Sequence, residues 1–244
     1  VLYSAAERIP GLRLADIRGG KFDNVICSRN HARAAVPADR AEEFEDFIRE
    51  FDKALQNEYA GCDGGIALSC EKTALDKALS PESTANMLRT LLAVPQGVQA
   101  MNVDFPGLVQ TSLNLGVMEL REDGLYFGVS VRSCIATQKD MIVQRLKAIL
   151  ELGGGSFTLR GNYPGWQYDR NSALREEVLA AYQAVCGKQG TIEATHGGLE
   201  CGLFVEKLPG LDAVSFGPEL HDVHSVKERL NVASTQRVYE LTRE

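Results

Sequence analysis

The stretch TSLNLGVMELREDGLYFGVSVRSCI, residues 111–135, constrains the fold more than any other. Two β-rich runs flank Glu122-Asp123-Gly124, and a glycine behind two acidic residues supplies the turn of a β-hairpin. A second pair of runs, LRLADI at 12–17 and NVICSRNHARAAV at 24–36, flanks Gly19-Gly20 and reads the same way. Two hairpins commit this part of the chain to an antiparallel sheet. AEEFEDFIREFDKALQNEYA at 41–60 sets Phe44, Phe47, Ile48, Phe51 and Leu55 on one helical face, which predicts a helix covering that sheet. SPESTANMLRTLLAVP at 80–95 opens with a Ser-Pro cap and closes on Pro95, and KDMIVQRLKAILELGG at 139–154 is amphipathic with glycine stops. Residues 1–9 read as helix, and IALSCEK at 66–72 and SFTLRG at 156–161 read as further strands. The fold class expected is an α+β domain, antiparallel sheet with helices on one face.

The rhythm changes at Asn162–Trp166, where NYPGW brings proline, glycine and two aromatics together. Beyond it come a helix at 172–186, a short strand TIEATH at 191–196, a glycine-rich turn, an apolar strand AVSFGP at 213–218, a loop with two histidines and a closing helix from about 233. This is α/β alternation. The expected division is therefore 1–161 and 162–244, with the boundary at Pro164-Gly165.

Thirty-three acidic against 26 basic side chains give a formal charge of −7, which argues against a nucleic-acid partner. No apolar run approaches the roughly 18–20 residues of a membrane span, and no signal-peptide pattern opens the chain, so a soluble, unsecreted protein is expected. Cysteines 27, 62, 70, 134, 186 and 201 are scattered without a CxxC pair and read as free thiols of a reducing cytosol. Val1 opens on VLYSAAERI, the middle of a helical pattern with neither initiator Met nor capping residue, which suggests a partial chain.

Chemistry concentrates in HGGLECG at 196–202 and SFGPELHDVHSVKER at 215–229, each behind a short apolar run, where α/β proteins place active-site loops. His196, His221 and His224 are three of the four histidines in the chain. Singly, a histidine is more often structural than a ligand, and paired glycines can mark no more than a tight turn.

Taken in order, TSLNLGVM, VRSC, NYPGW, HGGLECGLF, SFGP and the HS pair with Glu228 three residues on resemble the C-terminal half of the aminoacyl-histidine dipeptidase family. These are co-catalytic dizinc exopeptidases, related to carnosinases, carboxypeptidases and aminoacylases. The resemblance implies a lid and dimerisation domain at 1–161, lacking its first strand, and the last α/β portion of a zinc-peptidase catalytic domain at 162–244. It implies two zinc ions in the complete enzyme, with cobalt or manganese as metals of similar ligand preference. It further implies an unblocked dipeptide such as Xaa-His as substrate, a homodimer formed through the lid, and a cytoplasmic location.

Residue by residue, the resemblance assigns His224 as the last zinc ligand. It assigns Arg132, in VRSC, to the substrate carboxylate, for which a planar guanidinium is suited. Asn24, in DNVI, matches a lid asparagine that hydrogen-bonds the dipeptide; Cys27 stands where the family usually has proline. Gly197 and Gly198 match a turn whose amides approach the substrate, and Glu200 is placed to receive its free amino group or to serve as a structural carboxylate. His221 reads as a solvated loop residue and Cys201 as a packed thiol. The family's HxD motif, bridging aspartate and catalytic Glu-Glu pair are not in this sequence. Glu42-Glu43 and Glu176-Glu177 sit on charged helical faces instead. The GGHSG-like segment of the family would precede Val1. The general base is accordingly expected upstream, and the chain alone is expected to be inert. Two readings stay open beside this one: a broader or carnosinase-like dipeptidase, and a non-catalytic lid or dimerisation module.

Overall fold

The structure is a computed structural model that describes residues 1–223 and 225–244. Two compact units emerge from it, Val1–Gly97 with Leu113–Val131 and Met141–Leu159, and Val98–Ser112 with Arg132–Asp140 and Arg160–Glu244. The elements in chain order are α1 (Leu2–Arg8), β1 (Arg13–Gly19), β2 (Asn30–Ala35), α2 (Ala41–Tyr59), α3 (Pro81–Ala93), β3 (Gly97–Met101), β4 (Val109–Leu120), β5 (Leu125–Ser133) and α4 (Ala136–Leu152), followed by α5 (Ala173–Cys186), α6 (Glu200–Lys207), β6 (Leu220–His221), β7 (Arg229–Leu230) and α7 (Val232–Arg243).

β1 to β5 form one sheet in the order β2-β1-β4-β3, with β5 paired to β4. β1 and β2 are antiparallel, Arg13 opposite Ala35 and Gly19 opposite Asn30, with a register shift between Leu14 and Asp16. The far end of β1 meets β4 through Arg18–Glu119 and Gly19–Met118. The expected hairpin at Glu122–Gly124 is present, closed by the Arg121 amide on the Gly124 carbonyl at 2.8 Å. Helices pack on this antiparallel sheet, as the one-sided apolar stripe of the helix at 41–60 predicts. Phe47 and Ile48 of α2 meet Ala5 and Leu12 in one buried cluster, and Ile142 and Leu146 of α4 meet Val94 and Leu113 in a second. Ile142 is fully buried; a side chain so placed contributes about 1.5–3 kcal/mol relative to exposure.

Caps place the helices. Ser80 Oγ accepts the Ser83 amide at 3.0 Å with Pro81 at the first position of α3, and Ser172 Oγ accepts the Arg175 amide at 3.0 Å at the start of α5. Gly187 ends α5 at φ +68°, a left-handed conformation that costs glycine little.

Several expected strands are not strands. Residues 24–29 leave the β2 ladder because the chain turns at Phe22–Val25, where the Asn114 side-chain amide donates to the carbonyls of Asp23 and Val25 at 2.7 and 2.9 Å. Gly20 and Gly116 make that approach possible: a Cβ on Gly20 would lie 1.7 Å from the Gly116 carbonyl oxygen. Residues 66–72 are irregular, and the Leu68 amide bonds the Asp52 carboxylate of α2 at 2.6 Å instead of a neighbouring strand. Residues 156–161, 191–196 and 213–218 carry apolar, strand-like sequence but find no ladder partner among the described residues. A β-run becomes a strand only when a second backbone satisfies its amides.

Candidate active site

The second unit gathers most of the residues that the sequence singled out. Arg132 lies near the end of β5, exposed. The backbone beside it is pinned: Ser133 Oγ lies 2.9 Å from Thr111 Oγ1 and accepts the Ile135 amide at 3.0 Å, and both hydroxyl residues are buried. Arg132 itself makes no ion pair with a described residue, which leaves a permanently charged fork open to an anion.

His196 and the double glycine follow in the turn that leads into α6. The Gly197 amide donates to Thr195 Oγ1 at 3.0 Å. Half-burial pushes the His196 imidazole below its ordinary pKa, and the Arg132 guanidinium adds repulsion between like charges. Glu200 opens α6, where an acidic side chain in the first turn is favoured by the helix dipole.

Tyr163, in NYPGW, lays its ring against the turn. A Cβ on Gly198 would stand 2.6 Å from Tyr163 Cδ1, so only glycine admits the ring there. Burial, followed by the negative charge of Glu200 and Cys201, raises the Tyr163 phenol above its ordinary pKa. Gly165 abuts the carbonyls of Ser133 and Cys134, and Gly202 abuts that of Pro164. Lys139 Nζ donates to the Tyr163 carbonyl at 2.6 Å. Sequence reasoning took NYPGW for a boundary and missed this role; the signal was present in its two aromatics and in the glycines at 198 and 202.

Arg132, His196, Gly197, Gly198 and Glu200 therefore belong to one compact unit. Asn24 belongs to the other unit, exposed in the Phe22–Val25 turn whose flanking carbonyls Asn114 holds. His224 lies outside the described residues; its neighbours Asp222 and Ser225 sit between β6 and β7, where Asp222 pairs with Arg229 at 2.8 Å and the Ser225 amide bonds the Asp222 carbonyl. His221 is exposed on β6. Among the described residues no three His, Cys, Asp or Glu side chains converge as a metal-ligand set, so these residues do not by themselves fit a zinc ion.

No protein-family model matches the chain. It is 35% identical over 234 residues to the cytosol non-specific dipeptidase of Escherichia coli (strain K12), an alignment that spans 96% of this chain and 48% of that protein. Its fold superposes with a TM-score of 0.90 on the crystal structure of aminoacylhistidine dipeptidase from Vibrio alginolyticus, at 29% identity over 99% of this chain and 49% of that one. The chain spans about half the length of the relatives it matches. Its sequence thus aligns almost from end to end with about half of one dipeptidase, and its antiparallel sheet covered by helices matches about half of an aminoacylhistidine dipeptidase.

Proposed function

We propose that this chain is part of a metal-dependent dipeptidase that hydrolyses unblocked dipeptides. The observation that carries the reading is the grouping of Arg132, His196, Gly197, Gly198 and Glu200 in one unit of a chain aligned almost throughout with dipeptidases. Arg132 takes the substrate carboxylate, because a guanidinium without a described carboxylate partner is a ready receptor for one. The amides of Gly197 and Gly198 approach the peptide, and Glu200 receives its ammonium group. Asn24 hydrogen-bonds the dipeptide from the lid.

His224 is proposed as one ligand of a zinc pair, with cobalt or manganese as alternatives; the remaining ligands and the general base are assigned to polypeptide beyond this sequence. The described residues offer no complete ligand set, so no chemical step is assigned to a metal on them. Residues 1–161 are proposed to serve as lid and dimer surface and 162–244 as the last portion of the catalytic domain. The cytoplasm is the proposed location, in keeping with the cytosolic relative; no helix of the described residues is long and apolar enough to cross a membrane. Broad dipeptide specificity is the second reading, favoured by the name of the Escherichia coli relative.

Arg132→Met in the full-length enzyme tests the assignment. The expected result is a rise in KM of roughly a hundredfold for dipeptides with a free carboxylate. C-terminally amidated dipeptides should change little. A variant that still prefers the free carboxylate over the amide removes Arg132 from the site.

A further inference from the structure

We propose that Tyr163, Pro164 and Gly165 act as a spacer that fixes the separation of Arg132 from the Gly197–Glu200 turn and thereby sets the length of peptide the enzyme accepts; the inference rests on the dipeptidase reading above. The three residues are held on both flanks. Toward the strand that carries Arg132, a Cβ on Gly165 would lie 2.6 Å from the Ser133 carbonyl oxygen and 2.7 Å from that of Cys134. Toward the turn, a Cβ on Gly198 would lie 2.6 Å from Tyr163 Cδ1, and one on Gly202 would lie 3.0 Å from the Pro164 oxygen. The first three approaches are closer than a side chain permits and the fourth is tight, so backbone and ring stand in direct contact with the two flanks.

The segment is also stiff. Proline fixes its own φ and restricts the residue before it, so Tyr163 cannot swing away by rotating its backbone. The ammonium of Lys139, near the start of α4, donates to the Tyr163 carbonyl at 2.6 Å and holds the same residue from a third direction. Beyond the spacer stand the two charges of the proposed recognition, the Arg132 guanidinium for a carboxylate and the Glu200 carboxylate for an ammonium. An unblocked peptide carries those complementary charges at its two ends, and their separation grows by about 3.3–3.6 Å with each residue added. A rigid separation of the receptors therefore discriminates one peptide length from the next. Tyr163 is a positioning residue here: it touches the turn, not the reacting atoms.

The test uses the full-length enzyme with free dipeptides and the corresponding free tripeptides, and folding is checked by thermal unfolding. Tyr163→Ala should lower kcat/KM on dipeptides roughly tenfold or more, mainly through KM, and should raise the tripeptide-to-dipeptide ratio, because a misplacement of about 1 Å is enough for such a loss. Tyr163→Phe keeps the ring and should restore both quantities to within about twofold. Lys139→Met removes the strut while leaving the ring, should shift the ratio in the same direction, and carries the test if Tyr163→Ala fails to fold. An unchanged length ratio in a folded Tyr163→Ala or Lys139→Met protein overturns the spacer. So does a Tyr163→Phe protein as impaired as Tyr163→Ala. A wild-type enzyme inert on every free dipeptide overturns the dipeptidase reading itself, and that result is visible before any variant is made.

Discussion

His196 illustrates how one side chain records its surroundings. Its imidazole is half-buried and feels the charge of the Arg132 guanidinium, so the folded protein binds its proton less readily than the unfolded chain, where the pKa is near 6.5. Between the folded value and about 6.5 the unfolded state holds more protons, and acidification favours unfolding. The stability associated with His196 is therefore complete above about pH 6.5 and declines as the pH falls through it. His196→Gln should show a smaller loss of urea midpoint between pH 8 and pH 5.5 than wild type; equal losses in the two proteins would mean that another group governs the acid limb. At the same scale, Gly165, Gly198 and Gly202 matter for what they lack. Each is a place where a Cβ would meet an atom at 3.0 Å or less, and all three meet or belong to the spacer between β5 and α6.

Among the elements, α5 is held at its start by two side chains acting together. Ser172 Oγ accepts the Arg175 amide and donates to Asp212 at 2.7 Å, while the other Asp212 oxygen accepts the Leu174 amide at 2.9 Å. These bonds hold the Asp212 carboxyl below the usual carboxylate range. Ser172 is buried, so its loss removes a cap with no water to replace it. Ser172→Ala should cost about 1–2 kcal/mol in urea unfolding, the upper part of the range for N-cap serine. A cost near zero would show that Asp212 alone suffices. α7 repeats the device with Asn231, whose side-chain oxygen accepts the Ser234 amide at 3.2 Å, and it packs against α5.

For the whole chain, the decisive measurement is metal uptake. The described residues offer no three-residue ligand cluster, and the chain spans about half of its relatives. Calorimetric titration of the 244-residue chain with zinc should give no tight uptake of two ions. Stoichiometric binding of two would overturn the assignment of the other ligands to polypeptide outside this sequence.

Much of this molecule was legible beforehand, because the legible parts depend on neighbours close in sequence. The phenylalanine stripe of α2, the Ser80 cap of α3 and the Glu122–Gly124 turn each act within a few residues, and each is found where its pattern put it. Even the resemblance to dipeptidases rested on short strings such as HGGLECG. The runs at 66–72, 156–161, 191–196 and 213–218 misled, because β-propensity states a readiness to pair and not the presence of a partner. The start of α6 at Glu200 was hidden for a related reason: three glycines in seven residues weaken local helical preference, and tertiary contact decides. Only the folded chain brings Tyr163 against Gly198, 35 positions apart in the sequence, and brings His196 within the electrostatic reach of Arg132, 64 positions away. Local pattern determined which segments are helices, caps and turns. The separation of the charged groups was decided by long-range packing, whose close approaches depend on atoms that no short window of sequence contains.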